Sequence, residues 1–299
     1  MSREFTLRRS DLLLTAAAAV WGVSFVVVKD ALASADPLIF LAARFSIATL
    51  VLAPLVKLRA GFSQAELRAG LVLTLLLATG FATQAVGLQY TTPARSAFIV
   101  AMSSVLAPVI AMVVLKHRTG WLVLVALGIA GIGIYFLTAP DSGGLNRGDM
   151  WTLITAVVFG GHIVAVSEFS KRFAAERLVW LQLPGTAIGS LIAALLLRSL
   201  RFEWSLGLGA ALLFLGIMST AVALVWQMRA QREMSSARAS LLLCFEPVFA
   251  ALTSRLFWGE QFSLSQGLGA VLILGSMVLA VVGETRTDPA TAAGGLSRM

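Results

Sequence analysis

Arg44, His162 and Glu246 interrupt long apolar runs near their midpoints. In a hydrocarbon environment such a group costs about 2.5–3.5 kcal/mol, so it must face a watery cavity or a partner. One chemistry these types can do is solute binding or proton transfer. The other is structural: Arg44 and Glu246 can form an internal ion pair that fixes helix packing. Gln84, Gln182 and Gln227 lie within or near apolar runs too. Their amides can hydrogen-bond the carboxylate and ammonium of an amino acid, or bridge helices. Trp21 is the one tryptophan placed mid-run, and its indole N–H needs an acceptor there. Ser24 lies one turn beyond it. Met102, with Phe25, Phe81 and Phe98, adds apolar surface that serves either a cavity wall or ordinary packing. The candidate binding set is therefore Trp21, Ser24, Arg44, Gln84, Met102, His162, Gln182, Gln227 and Glu246. Pro108 and Pro247 each remove a backbone donor from a helix and are candidate hinges, or simple bends.

Other chemistry is missing from the chain. Cys244 is the single cysteine, and His117 and His162 are far apart in sequence. No disulfide, metal centre or cofactor is expected, and no catalytic residues. There are no paired carboxylates, no Gly-x-Ser-x-Gly elbow and no phosphate loop. Neither an enzyme nor an ATP-driven pump is expected.

The elements that must position these residues follow from composition. Of 299 residues, 58% are hydrophobic and 13% charged, about half the charge of a soluble domain. A bilayer core of about 30 Å takes about 20 apolar residues per helix. That pattern predicts helices near 12–31, 37–56, 67–90, 94–115, 120–138, 149–170, 178–197, 207–229, 237–257 and 264–283. The tail, 285–299, is small and polar and is expected to be disordered. A cleaved signal peptide is the alternative for the N-terminal run, since Ala31-Leu32-Ala33 resembles a cleavage site. The run's length, Trp21 and a counterpart later in the chain favour a retained helix.

The net charge is +8, but the basic residues are spread between apolar runs, which does not suit nucleic acid. With the N-terminus inside, cytoplasmic segments hold sixteen Lys and Arg and external ends hold six, with Arg44 in a span. The positive-inside rule then puts both termini in the cytoplasm of a bacterial inner-membrane protein. Five of the tryptophans, such as Trp121 and Trp204, fall near predicted helix ends, as interfacial rings do.

The chain also repeats itself. A shift of 138 lays Asp11 on Asp149, Trp21-Gly22 on Phe159-Gly160, Ser24 on His162 and Arg44 on Gln182. A shift of 139 lays Pro108 on Pro247 and Gly128 on Gly267. Two five-helix units, 1–139 and 149–284, must then enter the membrane from opposite sides. Inverted repeats characterise secondary transporters with a midplane site. The Gly-rich helices 120–138 and 264–283 are expected to be scaffold or a subunit interface, in a monomer or homodimer.

One stretch carries a resemblance: Ser240-Leu-Leu-Leu-Cys-Phe-Glu-Pro-Val-Phe-Ala-Ala-Leu-Thr-Ser-Arg-Leu-Phe-Trp-Gly-Glu260, followed by Gly267-Leu-Gly-Ala-Val-Leu-Ile-Leu-Gly275. It resembles the repeat signature of the drug/metabolite transporter superfamily, in its EamA branch. Ala97 to Lys116 and Leu127 to Gly133 form a looser copy, and Trp21-Gly22, Lys29 and Ala43-Arg44-Phe45 also match. One departure is Lys116-His117 where the second half has Gly-Glu, read as a change at the cytoplasmic rim. The resemblance implies a ten-helix all-α fold with a central cavity. It also implies export of amino acids, aromatic ones among them, or similar small metabolites. A proton-coupled antiporter of lipophilic cations is the alternative, although the first helix lacks the carboxylate that small relatives use. With Arg44 available to pair Glu246, passive, gradient-driven transport is expected.

Overall fold

The computed structural model describes residues 9–55, 61–116, 120–138, 144–233, 239 and 242–287. Lys57, Arg59, His117, Arg118, Arg238 and the tail from residue 288 lie outside them. Among the described residues the chain is helical apart from one β-bridge. The elements are α1 (Arg9–Ala31), α2 (Pro37–Leu52, with a 3₁₀ turn Ala53–Leu55), α3 (Gln64–Tyr90), α4 (Pro93–Ala101) and α5 (Ser103–Leu115). There follow α6 (Trp121–Leu137), α7 (Arg147–Ser170), α8 (Ala175–Leu196) and α9 (Leu206–Leu213). A π-helical segment (Phe214–Val222) leads into α10 (Ala223–Glu233), and α11 (Glu246–Trp258) and α12 (Leu264–Thr287) complete the chain.

Local chemistry sets the helix starts. Ser63 closes a capping box with Glu66, and Asn146 with Asp149, each satisfying two orphan amide donors. Pro37 and Pro93 open α2 and α4 behind Asp36 and Thr92, where a missing N–H costs nothing. Seven helical stretches are long and apolar enough to cross a membrane, and α2 and α6 are shorter apolar helices. Leu50, Leu71, Val113, Leu196 and Val271 point outward from them. This surface suits acyl chains, and the chain is a multi-pass membrane protein in contact with lipid.

Three expected helices are not continuous. The 94–115 stretch breaks at Met102, where its N–H bonds to Ile99 O at 3.2 Å, a tightened turn between α4 and α5. The 207–229 stretch contains the π segment. In the 237–257 stretch a turn at Cys244-Phe245 precedes α11. This corrects one reading of Pro247: it occupies the first turn of α11, so it removes no interior hydrogen bond. Pro108 does lie inside a helix, α5, six residues past the break. Helix α12 runs on to Thr287, into the stretch expected to be tail.

Packing joins the first half of the chain to the second. Helix α3 lies on α7 and α8, α2 on α8 and the π segment, α1 on α10 and α11, and α6 on α12. One core of Phe40, Leu41, Phe45, Leu88, Leu183 and Leu215 draws on both halves. At the α6–α12 crossing, Gly133 and Gly269 let the two backbones touch. A Cβ on Gly269 would lie 2.5 Å from Leu137 N and 2.6 Å from Gly133 O.

Candidate functional site

Helix α2 is short and mostly buried, and it carries Arg44 into the bundle at 3% exposure. Its guanidinium is held by the π segment. Arg44 Nε donates to Thr220 Oγ1 at 3.1 Å, and Nη2 donates to Ser219 Oγ at 3.2 Å. The wider π turn makes this geometry. Thr220 Oγ1 donates to Leu215 O at 2.8 Å, five residues back, and Gly216 lets the segment approach Ile47 and the Arg44 carbonyl closely. Such π segments occur often at functional sites.

Trp21 meets the same segment. Its indole Nε1 donates to Ser219 O at 2.8 Å, so the mid-run tryptophan has the acceptor it needs. Replacing Trp21 with phenylalanine keeps one aromatic ring but removes this bond along with part of the indole's bulk. It should cost about 0.5–1.5 kcal/mol, read as a lowered unfolding midpoint in lipid nanodiscs; an unchanged midpoint would mean the bond contributes nothing.

Aromatic rings wall the guanidinium. It lies 4.9 Å from the Phe81 centroid and 5.7 Å from that of Phe45. Phe81 makes edge contacts with Phe45 and with Phe159, linking α2, α3 and α7. One turn along α7, His162 Nε2 lies 2.6 Å from Gln182 Oε1, and Gln182 Nε2 donates to Leu178 O at 2.9 Å. With its NH₂ so engaged, Gln182 presents an acceptor. His162 therefore carries its proton on Nε2 and leaves Nδ1 as an acceptor when neutral.

The sequence candidates thus divide. Trp21 and Arg44 come together on the π segment, and His162 pairs with Gln182. Ser24 turns back to its own helix, donating to Trp21 O at 2.6 Å, and does not meet His162. Met102 packs with Ala130 and Ala156 in a separate core. Gln84 and Gln227 are half-buried and join neither group. The Arg44–Glu246 pair is absent: Arg44 is engaged by the π segment, whereas α11 packs on α1 and α4. The Glu246 carboxylate, on a half-buried residue at the start of α11, has no hydrogen bond or ion pair among the described residues.

A second polar network lies at one end of the bundle. Arg95 Nη2 pairs with Asp149 Oδ2 at 2.5 Å, with side chains 5% and 0% exposed. Thr91 donates to Asp149 at 2.8 Å. Glu260 accepts from Thr92 and Ser254. Lys29 caps the carbonyls of Leu88, Gln89 and Thr91, and Trp258 donates to Asp30 at 2.8 Å. Recesses of about 460 and 310 Å³ open at this same end, and neither is lined by Arg44 or His162.

Reading the sequence missed Ser219, Thr220 and the Arg95–Asp149 pair. Ser219-Thr220 is a hydroxyl doublet inside an apolar run, a weak signal that could have been flagged. Ala94-Arg95-Ser96 recurs as Ala237-Arg238-Ala239, a second signal beside the Asp11–Asp149 equivalence.

Helices that bury polar groups at mid-height and show leucine and valine outward define a polytopic membrane protein equipped to handle solutes. Comparison with known proteins narrows this. The chain belongs to the EamA-like transporter family, whose pattern matches residues 8–139 and 146–282. It is 32% identical over 270 residues to an uncharacterized transporter of Archaeoglobus fulgidus, covering 90% of this chain and 85% of that one. It is 21% identical to the uncharacterized transporter YoaV of Bacillus subtilis, covering 85% of this chain and 90% of the other. A solved structure titled only as the crystal structure of a protein matches with a TM-score of 0.63 at 18% identity, over 94% of this chain and all of that one. That likeness concerns the fold. The chain is accordingly a transporter and not an enzyme.

Proposed function

We propose that this transporter exports amino acids, aromatic ones among them, or similar small metabolites by alternating access between two inverted five-helix repeats. The observation that carries the reading is Arg44, a buried cation set beside hydroxyls and phenylalanine rings at mid-height. A guanidinium suits a carboxylate, and rings suit an apolar or aromatic side chain. Two features support the repeats. The family's pattern matches twice along the chain. The helix contacts also map onto themselves when the halves are exchanged: α3 on α7 answers α10 on α1, α5 on α7 answers α11 on α1, and α2–α8 and α6–α12 are their own counterparts. Ten spans with both termini in the cytoplasm of an inner-membrane protein fit this arrangement and the basic asymmetry. The Arg95–Asp149 network then closes the outer end.

The expected passive mode loses its structural premise. That expectation rested on Arg44 neutralising Glu246, and the two are not paired. A carboxylate with no ionic partner among the described residues can exchange a proton with each cycle, so the second reading is proton-coupled antiport through Glu246, with His162 as the other candidate. Proteoliposomes loaded with labelled amino acids test both readings. Saturable efflux of aromatic amino acids is expected, and no flux of any amino acid tested would overturn the export reading. Accumulation driven by an imposed pH gradient, and abolished by Glu246→Gln or His162→Ala, would establish antiport; flux indifferent to the gradient would establish a facilitator.

A further inference from the structure

We infer that Arg44 and Ser219 together form the anchoring subsite for a carboxylate of the transported solute, and that the solute's ammonium group contributes little to recognition. The inference deepens the export reading and rests on it for the identity of the occupant.

Four observations converge. Arg44 is buried, and both its hydrogen bonds go to neutral hydroxyls. No carboxylate lies within 4.0 Å of it among the described residues, whereas Arg95 and Arg177 each have one and Arg201 has two. Next, the hydrogen bonds leave donors to spare. Among the described residues Arg44 Nη1 donates to nothing, and the Ser219 hydroxyl accepts from Arg44 but donates to nothing. These two donors belong to groups already in contact at 3.2 Å. A carboxylate brings two acceptor oxygens, which suits one guanidinium edge and an adjacent hydroxyl.

Third, the subsite is held rigidly. Thr220 is tied to Leu215 O and Ser219 O to Trp21, so the donors are oriented before a ligand arrives. Finally, the wall is aromatic: Phe81 and Phe159 are in edge contact, and neither ring is fully buried. An apolar chain attached to the carboxylate has a surface to lie on. The guanidinium is engaged by hydroxyls alone and has no carboxylate within 4.0 Å among the described residues, so the subsite offers an ammonium no anionic partner beside it. An α-amino acid holds its two charges on neighbouring carbons, so an ammonium on an anchored amino acid would sit close to the guanidinium, where like charges repel.

Three probes with a common phenyl-ethyl frame test the inference on the full chain in phosphatidylcholine nanodiscs, by titration calorimetry: 3-phenylpropionate (anion), phenylalanine (zwitterion) and phenethylamine (cation). The anion and the zwitterion should bind within about threefold of each other, and the cation at least tenfold more weakly. Arg44→Gln should weaken the first two at least tenfold and leave the third unchanged. Ser219→Ala, which keeps the guanidinium, should weaken them by a smaller factor and serves if Arg44→Gln does not fold. Equal binding of phenethylamine, no binding of 3-phenylpropionate, or indifference to both substitutions would overturn the inference. Its failure is separable from that of the export reading. Arg44-dependent binding of 3-phenylpropionate without amino-acid flux sinks export alone; amino-acid flux insensitive to Arg44→Gln sinks this subsite alone.

Discussion

Asp149→Ala is expected to destabilise the protein by about 3–5 kcal/mol, the loss seen when one partner of a buried ion pair is removed. The carboxylate is fully buried and serves several donors at once. It accepts from Arg95 at 2.5 Å, from Thr91 at 2.8 Å and from the Asn146 N–H at 2.9 Å. Without it the Arg95 guanidinium stays desolvated, α7 loses half of its capping box, and the turn before α7 loses its tether. Replacing both charges with apolar groups, as in Arg95→Met with Asp149→Leu, removes the stranded charge and should recover a good part of the loss. Denaturant titration of the two variants in one detergent decides the matter. Equal losses in the single and double variants would show that the charge pairing is not what matters there.

The second large effect is at the α6–α12 crossing. Gly269→Ala should cost about 1–3 kcal/mol, the usual range for overpacking. The added Cβ meets backbone atoms of Leu137 and Gly133 at 2.5 and 2.6 Å, and backbone cannot rotate away as a side chain can, so the helices must separate. Gly267, two residues earlier on the same helix, has nothing within 4 Å of its would-be Cβ. Gly267→Ala should be neutral or stabilising by up to about 1 kcal/mol, because alanine favours helix. Thermal unfolding of the two variants side by side separates packing from propensity. A loss at Gly267 as large as that at Gly269 would mean the crossing is not the cause. The contrast also assigns the glycines of these helices: Gly133 and Gly269 are scaffold, while Gly128, Gly131, Gly267 and Gly275 face open space.

Residues such as Leu50 and Leu196 make plain how far composition reaches. Unbroken apolar runs of about 20 residues satisfy their backbone in a bilayer as helices, since barrel strands would alternate apolar and polar residues, so all-helical structure and most helix limits follow from run length and from Pro37, Ser63, Thr92 and Asn146. Arg44 and Trp21 also stood out unaided, because a charge or an indole N–H within an apolar run must find a partner. Which partner it finds is a different matter. Arg44 could have met Glu246; it met Ser219 and Thr220 because α2 packs on the π segment while α11 packs on α1 and α4. Nothing in Phe214–Val222 marks a π turn, since one extra residue per turn depends on what lies opposite, here Ile47 and the carbonyl of Arg44 behind Gly216. The breaks at Met102 and at Cys244-Phe245 are equally silent, each lying before the proline that drew notice. Residue type and spacing determined which groups cannot be left alone in a membrane. Tertiary packing decided their company, because partners 175 residues apart are chosen by helix position and not by anything local to either residue.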